Sequence, residues 1–377
     1  FGLISTLDSA MFKQSSIAPS YEKIFIRQSL FNNSLRLDGR GIEDVRAISI
    51  KLVRNEVTCH SEVQWGSTIV IAVVSCKIIT PFPDRPNEGN LHFNTELSAQ
   101  ADAAGYSHAE ISRLLEKIIK ESETLDTESL CIINGEKVWE IKCDVRIVDA
   151  SGGNIIDASV LAAISALKGF RKPEISFSST DLTTNNKAEK HKLVIHHSDE
   201  RDPLPLALHH TPLTLTIGVL KKGGQAQSGE RIENGKEKFV LIVDPSIEEE
   251  TSMDGLISFS INSFNEVCSI NKPGGVSLPV HLITRSGHIA LQKIQQLHEK
   301  LNKSLEILEE EVSKEKILRV EQTRQYRQQV ATVSSDLPSN EMDIDGNNNN
   351  NDEAAGIDKN DPILQWSNLH FAVPLKE

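Results

Sequence analysis

The chain has few cysteines, only 5% aromatic residues, no long apolar run, and fewer cations than anions. Each shortage excludes something. Cys59, Cys76, Cys131, Cys143 and Cys268 are odd in number, lie far apart and form no CxxC pair. Neither a zinc ribbon nor a disulfide framework is expected from that spacing, so they read as buried reduced thiols with no metal among them. No segment approaches the roughly 20 apolar residues that cross a bilayer, and the first residues lack the basic start and apolar core of a signal peptide. No membrane partner is expected, and the expected address is cytoplasmic or nuclear. The chain opens on Phe1, and Met11 precedes a more ordinary polar leader, so residues 1–10 are expected to be an artefact within a leader of residues 1–30.

A net charge of −13 excludes blanket electrostatic binding of nucleic acid, which needs clustered Lys and Arg. The deficit is uneven. Asp336, Glu341, Asp343, Asp345, Asp352, Glu353, Asp358 and Asp361 stand against Lys359 alone, so that segment carries −7 of the −13 and leaves −6 for the rest. A local basic groove is compatible with that remainder.

With 377 residues, 38% of them hydrophobic, the chain is long enough for two or three domains and a sizeable core. Partial alternation over Val45–Arg54 and Val57–Gln64, followed by a β-branched run over Thr68–Ile79, predicts three adjacent strands. Pro81, Pro83 and Pro86 then stiffen a loop that carries Asp84, Arg85 and Glu88. Ser107 and Glu110 match a capping box, and the spacing of Ile111, Leu114, Leu115, Ile118 and Ile119 predicts a helix over 108–122. In Val138–Asp149, Trp139, Ile141, Cys143, Val145 and Ile147 share one strand face. Gly152-Gly153 turns the chain, and Asn154 and Asp157 suit the start of a second helix.

The pattern restarts with strands at Leu193–His196, Leu213–Val219, Phe239–Val243, Ile257–Ile261 and Glu266–Ile270. Two α+β domains, 31–177 and 190–290, are therefore expected. Leu291, Ile294, Leu297, Leu301, Leu305, Leu308 and Val312 predict a long amphipathic helix over 291–330. Residues 331–377, with the run Asn347–Asn351, read as a disordered acidic tail. Ile363-Leu364-Gln365-Trp366 and Leu369–Val373 restore apolar character within it, either as a docking motif that folds on a partner or as a strand returning to the domain. His196-His197 and His209-His210 read as structural, since adjacent residues on a strand point to opposite faces and cannot ligate one ion together. The Gly223-Gly224 loop, Lys221 to Gly229, lacks a following GK[ST] and reads as a hairpin, not a phosphate cradle.

Individual motifs go further. Arg36-Leu37-Asp38-Gly39-Arg40, with Asp44 and Arg46, resembles the RxDGRxxxxxR opening of RNase PH-type phosphorolytic exoribonucleases, although turn chemistry alone would make it a charged turn before a strand. Asp84–Gly89, Leu125–Ile132, Gly135–Trp139, Gly152–Ser159, Val243-Asp244-Pro245, Glu248–Glu250, Asp254-Gly255 and Lys272–Gly275 follow in that family's order. Over about residues 30–300 they are similar to the non-catalytic branch of RNase PH-like ring subunits of the eukaryotic RNA exosome.

The resemblance implies a fold of two α+β domains, the first like domain 2 of ribosomal protein S5, and a pseudo-hexameric ring around single-stranded RNA. It implies other RNase PH-like ring subunits, S1/KH-type cap subunits and an associated hydrolytic exoribonuclease as partners, in the nucleus, nucleolus and cytoplasm. Active relatives carry an Arg pair on the amphipathic helix, where this chain has Arg113 and Lys117, and Lys cannot grip phosphate bidentately. Their acidic pair should fall within Asp244–Asp254, where Asp254 fits, with Glu248 or Glu250 as companion. Ser151 stands where close relatives often carry Asp, and nothing physical explains the change. The expectation is a degraded phosphorolytic site (Glu248, Asp254) with no catalytic residue, metal or cofactor, and RNA contacts from Arg85, Arg113 and Lys117. The rival readings are an active phosphate-dependent 3'-to-5' exoribonuclease and a pure scaffold.

Overall fold

The computed structural model describes residues 20–103, 106–178, 192–198, 200–221 and 239–335. The acidic segment and apolar motif of 336–377, the Gly223-Gly224 loop, most of the 178–191 polar stretch and residues 1–19 lie outside them.

Helix α1 (Ser20–Gln28) ends in a π turn, Ser29–Asn33. Strands β1 (Ile48–Arg54), β2 (Thr58–Trp65) and β3 (Thr68–Ile79) form an antiparallel meander. Beyond the Pro-rich loop come β4 (Asn90–Leu97), a short α2 (Ala99–Ala103), α3 (His108–Leu115) with a π turn over Glu116–Lys120, β5 (Cys131–Ile133) and the long β6 (Lys137–Asp149). The first sheet runs β1-β2-β3-β6-β4, with β4 parallel to β6 and β5 paired to it on the side. The sequence reading assigned no element to 90–97, yet Leu91, Phe93 and Thr95 are buried there in strand alternation.

Helix α4 (Ile155–Gly169) is the centre of the molecule. Thirteen of its fifteen residues are buried, so it is a core helix and not an amphipathic one. It packs against β2 and β3 of the first sheet and against β11 (Leu213–Lys221) of the second; between them lie β7 (Arg171–Lys172), β8 (Ile175–Ser178), β9 (Lys192–Ile195) and β10 (Leu204–Pro205). The second sheet is completed by β12 (Phe239–Val243), β13 (Gly255–Ile261) and β14 (Val267–Asn271) in the order β12-β11-β13-β14, all antiparallel. A six-residue helix α5 (Ile247–Ser252) links β12 to β13. Residues expected to form two separate domains thus share one apolar core that runs from Trp65 through Ala162 to Phe259.

Helix α6 (Val280–Ser335) begins eleven residues before the expected apolar repeat at Leu291 and runs five past Val330, so 331–335 are helical. The chain divides into two compact units within α6, at Leu318 and Arg319. In the first unit Ala290, Ile294, Leu297 and Leu301 join the core, and Leu308 is buried.

Candidate functional site

The residues with the strongest electrostatic coupling gather where the β12–α5 turn meets the loop ahead of α4. Two non-glycine residues there adopt left-handed backbone, Asn154 (φ 53°) and Asp244 (φ 51°). Asn and Asp tolerate that region best among non-glycine residues. Gly153 (φ 72°) lets the loop touch α5, since a Cβ would stand 2.7 Å from the Ile247 nitrogen.

Asp244 is fully buried and its two oxygens are filled by donors of the same chain. Oδ1 accepts from Arg46 Nη2 at 2.7 Å and from Asn154 Nδ2 at 2.7 Å. Oδ2 accepts from the Arg46 backbone N–H (2.9 Å), Arg46 Nε (2.9 Å) and Arg40 Nη1 (3.1 Å). Burial alone would raise its pKa, but the hydrogen bonds and charge of Arg46 outweigh it and bring the group down to about 2.

Glu250 lies across Asn154 from Asp244. Its carboxylate accepts from the Asn154 backbone N–H at 2.6 Å and from the Tyr106 hydroxyl at 2.6 Å. Burial pushes it up to about 7, against the pull of Tyr106, Asn154 and Arg46. Asp157, deeper in α4, is also raised to about 7 by burial, although Thr216 donates to it through its N–H (2.6 Å) and hydroxyl (2.8 Å). The hydroxyl of Tyr106 is driven well above its ordinary value by burial and by the Glu250 charge.

The opening arginine motif therefore serves the interior. Arg36, with a fully buried side chain, donates to Glu249 (3.0 and 2.6 Å) and to the carbonyls of Val243 and Asp244 (2.8 Å each). Arg40 is held by Asp38 and Asp244, and Arg46 closes on Asp244 and the Gly152 carbonyl. Glu249 also completes a capping box with Ser246 at the start of α5.

Of the expected acidic residues, Glu250 joins this cluster, while Glu248 and Asp254 lie outside it. Glu248 is exposed on the outer side of α5, because the cap at Ser246 fixes which positions of the helix turn inward. Asp254 sits beyond α5 and is gripped by Arg27 of α1 at 2.8 and 2.9 Å, and it accepts the Lys221 N–H at 2.7 Å. It anchors α1 to the second sheet. Asp244 and Glu250, six residues apart, are the carboxylates that approach each other through Asn154; Glu250 was one of the two expected companions, and the Ser246–Glu249 capping-box spacing is the sequence signal that could have preferred it to Glu248. Ser151 lies exposed on the same loop and donates its N–H to Asp149 at 2.8 Å.

Among the expected RNA-contact residues, Arg113 and Lys117 are exposed one turn apart on α3 and its π turn, with no carboxylate partner among the described residues. Arg85 is on the separate Pro-rich loop and pairs with Glu88 at 3.2 Å. His196 bonds Ser176 (2.6 Å) and Glu200 (3.0 Å), and His197 pairs with Glu56 (3.0 Å). Among the described residues no three metal-ligating side chains converge.

The chain matches the 3' exoribonuclease family, domain 1, over residues 44–173 and domain 2 over residues 231–293. It is 32% identical to "Exosome complex component RRP45A" of Arabidopsis thaliana, over 78% of this chain and 89% of that protein. To RRP45 of Saccharomyces cerevisiae it is 30% identical, over 81% and 95%. Against the human RRP45 it is 35% identical over 72% of this chain, which spans 56% of that protein. Among solved structures, the "archaeoglobus fulgidus exosome with RNA bound to the active site" superposes with a TM-score of 0.56 at 25% identity, covering 74% of this chain and 97% of that one. An archaeal exosome core gives a TM-score of 0.54 at 25% identity.

Proposed function

The chain belongs to the RNase PH family of 3' exoribonucleases, and from that membership we propose that it is a non-catalytic ring subunit of an RNA exosome. In this role it builds one wall of the channel and guides single-stranded RNA toward a hydrolytic exoribonuclease elsewhere in the assembly. Other RNase PH-like subunits flank it and S1/KH-type subunits cap it, in the nucleus, nucleolus and cytoplasm. Maturation of rRNA and turnover of mRNA are the processes served.

The observation that carries this reading is the filled acid cluster. Phosphorolysis needs cations free to hold the attacking phosphate and carboxylates free to place a metal or a proton at the scissile linkage. Here Asp244 is filled by Arg46, Arg40 and Asn154, and Glu250 accepts from Tyr106 and Asn154. Those guanidinium groups are taken up by carboxylates and carbonyls of the same chain, which supports a site not open to phosphate. The exposed cations Arg113 and Lys117 suit backbone contact with RNA, which positions a strand without reading bases.

The test has two arms. Tagged chain purified from its own cells is expected to bring down a multi-subunit ring, and the isolated chain is expected to leave RNA intact with or without inorganic phosphate. Phosphate-dependent release of nucleoside diphosphates by the lone chain would refute the non-catalytic role. In the assembled ring, Arg113→Ala with Lys117→Ala should weaken RNA binding uniformly across sequences; unchanged binding would leave a scaffold without RNA contact.

A further inference from the structure

We infer that the first three turns of α6 form a second binding site for single-stranded RNA, centred on Arg285. The inference rests on the exosome reading for the identity of the polyanion, while the site itself is read from the helix. Residues 280–298 contain no Asp or Glu, whereas the helix from Glu299 onward is rich in acids. In a chain of net charge −13, nineteen consecutive residues that bring Arg285 and Lys293 and no carboxylate are a local reversal of sign.

The arrangement of these groups fits a nucleic acid strand. His281, Arg285 and His288 recur at steps of four and three, so they share one exposed face of α6. Together with Thr284, Ile289 and Gln292 they form one open, shallow face of the helix. Among the described residues none of His281, Arg285 and His288 has a carboxylate partner, in contrast to Arg36, Arg40 and Arg46, which are all engaged inside the protein.

The seven-residue step from His281 to His288 spans about 10 Å of helix axis, against a rise of about 3.4 Å per stacked nucleotide on one strand. The face thus reaches two or three nucleotides. A guanidinium between two imidazoles offers a bidentate grip on phosphate flanked by two flat rings on which unpaired bases stack, and Gln292 adds an amide. Duplex RNA lacks splayed bases, so a single strand is the preferred form. A metal ion is disfavoured because two imidazoles about 10 Å apart cannot share one ion.

The test uses the complex purified through the full-length tagged chain, with 4-thiouridine-substituted single-stranded RNA for crosslinking and labelled U-rich and A-rich oligonucleotides for affinity. A crosslinked peptide from 280–293 is expected. Arg285→Glu should lower affinity about tenfold, the weight of one charge-assisted hydrogen bond, equally for both oligonucleotides. The slope of log affinity against log salt should fall by about one contact's worth, roughly 0.7 for a single strand. His281→Ala with His288→Ala should lower single-strand affinity and leave duplex affinity unchanged. If no crosslink maps to α6 and Arg285→Glu binds as the parent does, the inference is wrong. If Arg285→Glu instead sheds a co-purifying subunit without changing RNA affinity, the face is a protein contact and the inference is equally wrong. Failure of any ring to co-purify would refute the exosome reading and not this site, which the same measurements on the full-length chain alone would then decide.

Discussion

Replacing Arg36 by Met removes a guanidinium and keeps most of its stem. Arg36 has no exposed side-chain surface and Glu249 only 2%, and they meet through two hydrogen bonds of 3.0 and 2.6 Å. The variant strands the Glu249 carboxylate in the interior and removes a donor from the Val243 and Asp244 carbonyls. Breaking a buried pair from one side costs about 3–5 kcal/mol. With a urea m-value of about 3 kcal/mol/M, the unfolding midpoint should drop by about 1–2 M, read from the fluorescence of buried Trp65 and Trp139. Adding Glu249→Leu removes the stranded charge as well. The double variant then lacks the α5 capping box and the carbonyl contacts, about 2 kcal/mol together, so it should be more stable than Arg36→Met alone. Strict additivity of the two substitutions, or a cost for Arg36→Met below about 1 kcal/mol, would refute the claim that this pair is desolvated and joins the two sheets.

Three further outcomes follow from the same region and from α6. Glu250 and Asp157 are raised to about 7 in the folded chain, so the folded state binds more protons than the unfolded one above the ordinary carboxylate range. Their stabilisation is complete below that range and is lost as pH rises through about 7, whereas that of Asp244, lowered to about 2, is lost as pH falls toward 2. Urea midpoints should therefore be higher at pH 5 than at pH 8, and Glu250→Gln should shrink that difference; a midpoint that rises with pH over this window would contradict the assignment. Gly153→Ala combines a positive φ of 72° with a Cβ 2.7 Å from the Ile247 nitrogen, so it should destabilise by about 2 kcal/mol or more in a thermal melt, and a neutral effect would mean the loop does not touch α5. On α6, Glu309 holds Arg54 and Arg171 at 2.7 Å each but is half exposed, so Glu309→Ala should cost no more than about 1 kcal/mol, while Leu308→Ala, at a buried position, should cost about 2–4 kcal/mol. The reverse order would mean that ions and not apolar contact seat the helix.

Most strands were legible because alternation is a local property. The faces of β6 and the repeat from Ala290 to Leu308 follow from spacing alone. Strand β4 carried the same signal in Leu91, Phe93 and Thr95 against His92, Asn94 and Glu96, but its parallel partner β6 lies beyond a crossover of some 40 residues, which spacing does not encode. The central position of α4 was readable in principle from its small and apolar residues on every face. The acid cluster was harder. Asn154 looks like a helix cap in sequence, yet its backbone is left-handed and its side chain serves Asp244. Glu250 and Glu248 are chemically alike, and only the cap that sets the phase of α5 separates the inward residue from the outward one. Tyr106 gives no periodic signal because it stands in the loop ahead of α3 and reaches Glu250 of α5 through its hydroxyl.

Under the proposed ring role, the placement of cations accounts for how an acidic chain would guide RNA. Arg27, Arg36, Arg40, Arg46, Arg54, Arg171 and Arg201 all lie against carboxylates of the same chain, so their charge is neutralised inside the fold and adds little to the outer field. Arg113, Lys117 and Arg285 have no such partner among the described residues. At about 0.7 per phosphate contact on a single strand, three contacts give a salt slope of only about −2, which is weak binding at physiological ionic strength. A subunit with that allocation and a net charge of −13 is expected to hold RNA only weakly on its own. In the proposed ring, neighbouring subunits would close a channel around the strand, so that a few contacts from each wall add up while no single wall holds the RNA too tightly to let it pass.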